Sequence, residues 1–208
     1  MRSKHWRALL AVIVSLAVIA TLLALVTVAV LNDDIPGHTI AATQAREAGD
    51  RHAERAALEA VQAADPHQVD ALEKLARLAR EEGRWADAAL LWRDVSSLHP
   101  LHPRARFEQA RNLMAVGDFA GVLRITSAEP LPTDPDLLTL QARAQLAAGQ
   151  AEQAVVILTG VLAEYPEHAN ALLLRADIHF LDGELGDAED LYVILADQDE
   201  TRLAAQLG

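Results

Sequence analysis

At 208 residues the chain has room for one membrane segment and one ordinary domain, but not for two large domains. Its 30 acidic against 18 basic residues give a net charge of −12, which argues against nucleic acid as a partner. Cysteine is absent, so disulfides and a lipoprotein acyl anchor are both excluded.

The N-terminal residues 1–7, MRSKHWR, carry Arg2, Lys4 and Arg7 and no acid. Residues 8–31 then form an uncharged run of 24, interrupted only by Ser15, Thr21 and Thr27. As a helix rising about 1.5 Å per residue this run spans roughly 36 Å, enough for a hydrocarbon core of about 30 Å with some tilt. It is predicted to be a single N-terminal transmembrane helix, a signal anchor. The cations before it, with Asp33 and Asp34 after it, orient residues 1–7 to the cytoplasm and everything that follows to the far side. A cleaved secretory signal would have a shorter apolar region, and Thr27-Val28-Ala29 is a weak cleavage site; either reading exports the domain.

Residues 32–38 read as a short linker. Without Arg2, Lys4 and Arg7 the exported part holds 15 basic against 30 acidic residues, a net of −15. Such a domain is repelled by anionic headgroups within a Debye length of about 8–10 Å, so it is expected just above the bilayer, held off its surface.

Four glycines, Gly83, Gly117, Gly149 and Gly183, then fall at intervals of 34, 32 and 34 residues. Each closes one amphipathic helical stretch and opens the next. In the unit at residues 69–102, Leu72, Leu75, Ala76 and Ala79 form one stripe at helical spacing before Gly83. Ala88, Trp92 and Val95 form a second stripe, which His99-Pro100 ends. Small residues let two helices approach closely, and neither helix can bury its stripe alone, so neighbouring units must stack.

The eighth position of successive units reads Ala76, Ala110, Ala142 and Ala176, and the twentieth Ala88, Val122, Ala154 and Ala188. The twenty-fourth gives Trp92, Leu158 and Tyr192, and a proline follows as Pro100 and Pro166. On these residues the chain resembles the tetratricopeptide repeat family, in its membrane-anchored bacterial type, over about residues 38–200. The resemblance implies an all-α fold, an α-solenoid of tetratricopeptide hairpins preceded by the transmembrane helix. Its repeat domain would occupy residues 39–200, as about four repeats plus a degenerate first unit. That unit is marked by Pro66, which lies 17 residues after Gly49, as Pro100 does after Gly83. The second unit is two residues short, and Gly121, Pro130, Pro132 and Pro135 crowd its second half, so its second helix is expected to end near Ser127. Residues 201–208 read as a short C-terminal cap with Leu203 and Leu207 on one face.

In this family the first helices line a concave groove through their second, fifth, ninth and twelfth positions. Carried over, the resemblance implies a peptide-binding groove that includes Arg77 and Arg80, then Arg104, Phe107, Arg111 and Met114, then Arg143 and Leu146, and finally Phe180. The ninth position reads Arg77, Arg111, Arg143 and Asp177. Stacked arginines would form a ladder that grips carboxylates of a bound segment with guanidinium forks. Phe107, Met114, Leu146 and Phe180 would supply apolar contact for an amphipathic helix or extended peptide. The plainer reading is that arginine suits an exposed helix and pairs with nearby acids such as Glu73 or Glu108. The carboxylate clamp of chaperone-binding members is not present, since Lys74 is the one lysine after residue 31.

No glycine-rich phosphate loop, HExxH pair or nucleophile elbow occurs, so no catalytic residue, cofactor or metal site is predicted. His67, His102 and His168 fall at equivalent turns and read as solvated turn residues, while His99 and His102 lack the further ligands a metal needs. His179 reads as a packing residue in place of the family's tyrosine. The sequence therefore points to a single-pass protein of a bacterial inner membrane, its repeat domain periplasmic, that binds a membrane-associated protein or peptide partner. A similar organisation in the membrane-anchored tetratricopeptide proteins of cytochrome c maturation suggests an accessory subunit of an envelope assembly complex. The alternative is a structural protein whose thinly capped end stacks on itself and organises a membrane-associated homo-oligomer.

Overall fold

The computed structural model describes residues 34–128 and 131–207, with side chains described as far as residue 197. Among them are ten α-helices and no strand. These are α1 (Ile35–Glu47), α2 (Arg51–Ala64), α3 (Val69–Glu81), α4 (Trp85–Leu98), α5 (Ala105–Ala115), α6 (Phe119–Thr126), α7 (Pro135–Ala147), α8 (Ala151–Glu164), α9 (Ala169–Leu181) and α10 (Leu185–Leu207). The predicted membrane helix at residues 8–31 lies outside the described residues, and among those described no helix is long and apolar enough to cross a membrane. The chain divides into two compact units between Leu78 and Ala79, within α3.

In the first unit α1 and α2 pack as a hairpin. The stretch expected to be a linker is already helical from Ile35. Asp34 caps it, its Oδ1 accepting from the Gly37 N–H at 3.0 Å. Pro36 falls in the first turn, where a missing N–H costs nothing because no intrahelical acceptor faces it. The hairpin is complete in backbone, with helices of 13 and 14 residues. Its degeneracy lies in one side chain. The eighth position holds buried Ala42, but the twentieth holds Glu54, 4% exposed, where later units have alanine or valine. Leu58 and Val61 fill the rest of the crossing.

In the second unit α5/α6, α7/α8 and α9/α10 form hairpins, and α5, α7 and α9 pack each on the next. Hairpins are therefore layered as in an α-solenoid. One core gathers Ala110, Val122, Leu137 and Ala144 from α5, α6 and α7. The next gathers Ala142, Ala154, Leu158, Val161, Ala171, Leu174 and Ile178 from α7, α8 and α9. Ala110, Val122, Ala142 and Ala154 are wholly inaccessible, as close helix crossings require.

The turns explain the glycine period. Gly149 has φ +76°, its N–H donates to Leu146 O at 3.0 Å, and the Gln150 N–H reaches back to Gln145 O at 2.8 Å. This is a Schellman C-cap, whose left-handed residue costs a non-glycine about 1–2 kcal/mol. Gly83 repeats it at φ +77°. The expected truncation is also observed: α6 has 8 residues and Ser127 caps it. Arg106 on α5 closes that short helix, its Nη2 donating to the carbonyls of Ile125 and Ala128. Pro135 then opens α7 with Asp134 as N-cap. At the C-terminus α10 continues to Leu207, so residues 201–207 extend the last helix of the hairpin instead of starting a separate capping helix.

Candidate binding groove

Four of the predicted groove residues converge. Glu108 on α5 is only 12% exposed at its side chain, and three guanidiniums surround its carboxylate. Arg111 Nη2 lies 2.5 Å from Oε2, Arg80 Nη1 3.3 Å from the same oxygen, and Arg104 Nη2 3.6 Å from Oε1. Phe107 lies between two of the cations, with Arg104 Cζ 5.5 Å and Arg111 Cζ 5.6 Å from its ring centroid. Both distances suit cation–π attraction to the ring face. The helical register accounts for this. Arg104, Phe107, Glu108 and Arg111 are spaced three and four apart, so they share one face of α5 and its N-cap.

Three cations on one carboxylate leave a local surplus of two positive charges. That surplus stands in a part of the chain whose net charge is strongly negative. The guanidiniums keep contact with solvent, Arg104 most of all at 66% exposure. A carboxylate arriving from outside would therefore meet uncommitted N–H donors and an aromatic face.

The other predicted groove residues are not drawn into this cluster. Arg77 belongs to the first unit and pairs with Glu73 at 2.6 Å, one turn away on its own helix. Met114 packs against the α5–α6–α7 core and Leu146 against the α7–α8–α9 core, so each is half-buried. Arg143 is exposed on α7 and, among the described residues, has no hydrogen-bond or ion-pair partner. Phe180 is 58% exposed near the end of α9. Along the same faces Asp136 accepts a hydrogen bond from Asn170 Nδ2 at 3.3 Å, joining equivalent positions of α7 and α9.

Comparison with protein families agrees with the repeat reading. Models described as tetratricopeptide repeat match residues 74–121 and 145–207. The chain carries tetratricopeptide repeats.

Solved structures share the tetratricopeptide fold at low identity. Residues 41 to the end of MamA from Desulfovibrio magneticus RS-1 are 12% identical, with a TM-score of 0.65 over 80% of this chain and 96% of that one. PilW, a type IV pilus biogenesis factor, is 19% identical, with a TM-score of 0.59 over 80% and 78%. YrrB, a TPR protein with an unusual peptide-binding site, is 12% identical, with a TM-score of 0.59 over 84% and 92%. No curated protein sequence matches. Tetratricopeptide proteins are in general scaffolds for protein interaction and not enzymes.

Two of the histidines that mark the tetratricopeptide turns are not the solvated residues expected. His168 caps α9, its Nδ1 accepting from the Ala171 N–H at 3.2 Å while Nε2 faces Asp136 Oδ1 at 3.2 Å. His102 tilts against buried Trp92 with ring centroids 6.1 Å apart, and its Nδ1 accepts from the Arg104 N–H. Only local geometry separates a capping imidazole from a free one, and spacing in the sequence carries no sign of it. His67 is exposed, as expected.

His179 is largely enclosed, consistent with a packing role, and it anchors a third polar group. His179, Glu184 and Asp187 bring ligand-type atoms within 4.8 Å of one another, beside an open cleft of about 660 Å³. Arg175 Nε donates to His179 Nε2 at 3.0 Å, so the ring proton sits on Nδ1 and is given to Glu184 Oε2 at 2.5 Å. Both ring nitrogens are thereby engaged, and a guanidinium stands against the ring. The arrangement is a hydrogen-bonded relay that ties α9 to the start of α10; it does not present a free imidazole to a metal ion.

Proposed function

We propose that this tetratricopeptide protein is a scaffold that captures an acidic segment of a partner protein on the face of α5. The observation that carries this reading is the convergence of Arg80, Arg104 and Arg111 on the single carboxylate of Glu108, with Phe107 between two of them. Arginine forks recognise carboxylates bidentately, and an aromatic beside them rewards an apolar side chain one turn along the bound segment. Arg143, exposed and without a partner among the described residues, would extend the contact along α7.

Anchoring is part of the same proposal and rests on the sequence. The basic residues 1–7 and the apolar run at 8–31 support a single-pass inner-membrane protein with its repeats on the periplasmic side. Tethering there would raise the effective concentration of a membrane-bound partner. An accessory role in an envelope assembly complex, such as cytochrome c maturation, suits that organisation. The structurally similar PilW serves a different assembly process, pilus biogenesis.

A fluorescent peptide with glutamates on one helical face and leucines on the other tests capture by the full chain. Reversing Arg111 and Arg143 together to glutamate is expected to weaken binding at least tenfold without loss of helicity. Unchanged binding by a folded double variant would sink the arginine reading. Topology is read separately from protease access to the repeats in spheroplasts, where full protection until lysis would place them in the cytoplasm.

A further inference from the structure

The outer face of the last hairpin repeats a surface that is covered one hairpin earlier. On α8, Leu158 and Val161 are buried in one core with Ala171, Leu174 and Ile178 of α9, and Leu146 of α7 packs alongside. Thirty-four residues on, the equivalents of Leu158, Val161 and Leu146 are Tyr192, Leu195 and Phe180, while Ala188, like Ala154, is already buried within its own hairpin. Leu158 is wholly inaccessible, whereas Tyr192 is 37% exposed; Leu146 is half-buried, whereas Phe180 is 58% exposed. Leu185 and Val193 stand open beside them. Phe180, Leu185, Tyr192 and Val193 line a shallow apolar groove of about 390 Å³ between α9 and α10, with Ala188 at its floor. Among the described residues no element occupies it.

Charge separates this face from that of α5. Residues 182–197 hold six carboxylates and neither lysine nor arginine, and Glu189 lines the groove itself. An apolar channel in an acidic field selects against an acidic ligand and for a cationic one.

We infer that the α9–α10 face is a docking site for a basic amphipathic helix of a partner protein, seated as α9 is seated on α8. The occupant's apolar stripe would follow the one that fills the preceding seat, a small residue and two large aliphatic ones at the spacing of Ala171, Leu174 and Ile178. Its lysines or arginines would face the carboxylates of α10. This is helix-in-groove recognition, with the helix adding one more layer to the stack.

The test uses a synthetic peptide with alanine, leucine and isoleucine at that spacing and lysine at the outward positions. Its binding to the full chain in zwitterionic nanodiscs is read by fluorescence anisotropy, with empty nanodiscs as the blank. Saturable binding is expected, with at least a tenfold loss in the Phe180→Asp/Val193→Asp variant and a smaller loss in Glu189→Lys. Both substituted apolar side chains are exposed, so circular dichroism should be unchanged; Glu189→Lys keeps the test decisive if it is not. A peptide with glutamate in place of lysine should not bind. Equal binding of the two peptides, or binding indifferent to these substitutions, would overturn the proposal. So would a self-associated chain that Val193→Asp converts to monomer, since the seat would then belong to a second copy.

Discussion

Arg46 and Glu54 are joined across the first hairpin by a 3.0 Å ion pair in which the two ends differ in burial: Glu54 is 5% exposed at its side chain and Arg46 55%. Glu54 stands at the twentieth repeat position, where later units place a small apolar residue. A carboxylate has thus been taken into a helix crossing and is held there by one solvent-facing guanidinium.

The asymmetry predicts unequal effects. Arg46→Ala leaves a buried carboxylate without its ion partner and should cost roughly 2–3 kcal/mol. Glu54→Ala restores the small residue of the repeat and removes the buried charge, so its effect should stay within about 1 kcal/mol of zero. Urea midpoints followed by circular dichroism check the order. An equal loss in both variants would mean that the ion pair itself, not burial of Glu54, carries the stability.

The short helix α6 supplies a second prediction. Arg106 donates to Ile125 O at 2.5 Å, a carbonyl that the helix end leaves unpaired, and to Ala128 O at 2.8 Å just beyond the C-cap. Arg106→Gln should lower the opening free energy of α6 by roughly 1–2 kcal/mol, seen as faster amide hydrogen exchange there, while α9 is unchanged. Protection of α6 equal to wild type would show that helix to be held by its apolar face alone.

Much of this architecture was legible from residue spacing. Glycines at Gly83 and Gly149 are demanded by left-handed backbone, and alanines at Ala110, Ala142 and Ala154 by close crossings; both constraints act on single residues and so leave a period. What spacing could not reveal depends on pairs. Glu54 looks like any surface acid until the crossing that buries it is seen. The arginine ladder illustrates the same limit. Of its rungs, Arg77 pairs with Glu73 and Arg111 with Glu108, the two acids that the plainer reading names. Only Arg143 fits the picture of a free rung. The start of α1 was hidden for another reason: Ile35-Pro36-Gly37 reads as a helix breaker unless Asp34 is recognised as its cap.

Tyr192 gives a pH-dependent prediction. Its phenol donates to Asp177 Oδ1 at 2.9 Å, and this bond to a carboxylate, with a smaller contribution from desolvation, raises its pKa above the usual tyrosine value of 10.0. A raised folded pKa means the neutral phenol is favoured in the native state. The contribution is therefore complete below the unfolded pKa and disappears as pH rises through the folded one. Phenolate absorbance assigned by Tyr192→Phe should show Tyr192 ionising later in the wild type than in Asp177→Asn. Coincident titrations would show that the bond to Asp177 does not hold the proton.

Glu108 offers the sharpest test of the α5 face because one substitution pulls stability and binding in opposite directions. Glu108→Gln removes the carboxylate that Arg80, Arg104 and Arg111 share, and since these arginines are partly solvated the loss in stability should be modest, about 1–2 kcal/mol. The same change raises the local surplus from two positive charges to three. An acidic peptide should then bind roughly three- to tenfold more tightly, a gain of about 0.7–1.4 kcal/mol that shrinks as salt screens it. If the guanidiniums were engaged only in holding α5 to its neighbours, affinity would follow stability downward or stay unchanged. Titrations of peptide at low and high ionic strength, beside urea midpoints for the same protein, separate the two cases: tighter, more salt-sensitive binding by a less stable chain is the combination that a receptor for carboxylates produces and a purely structural ion cluster does not.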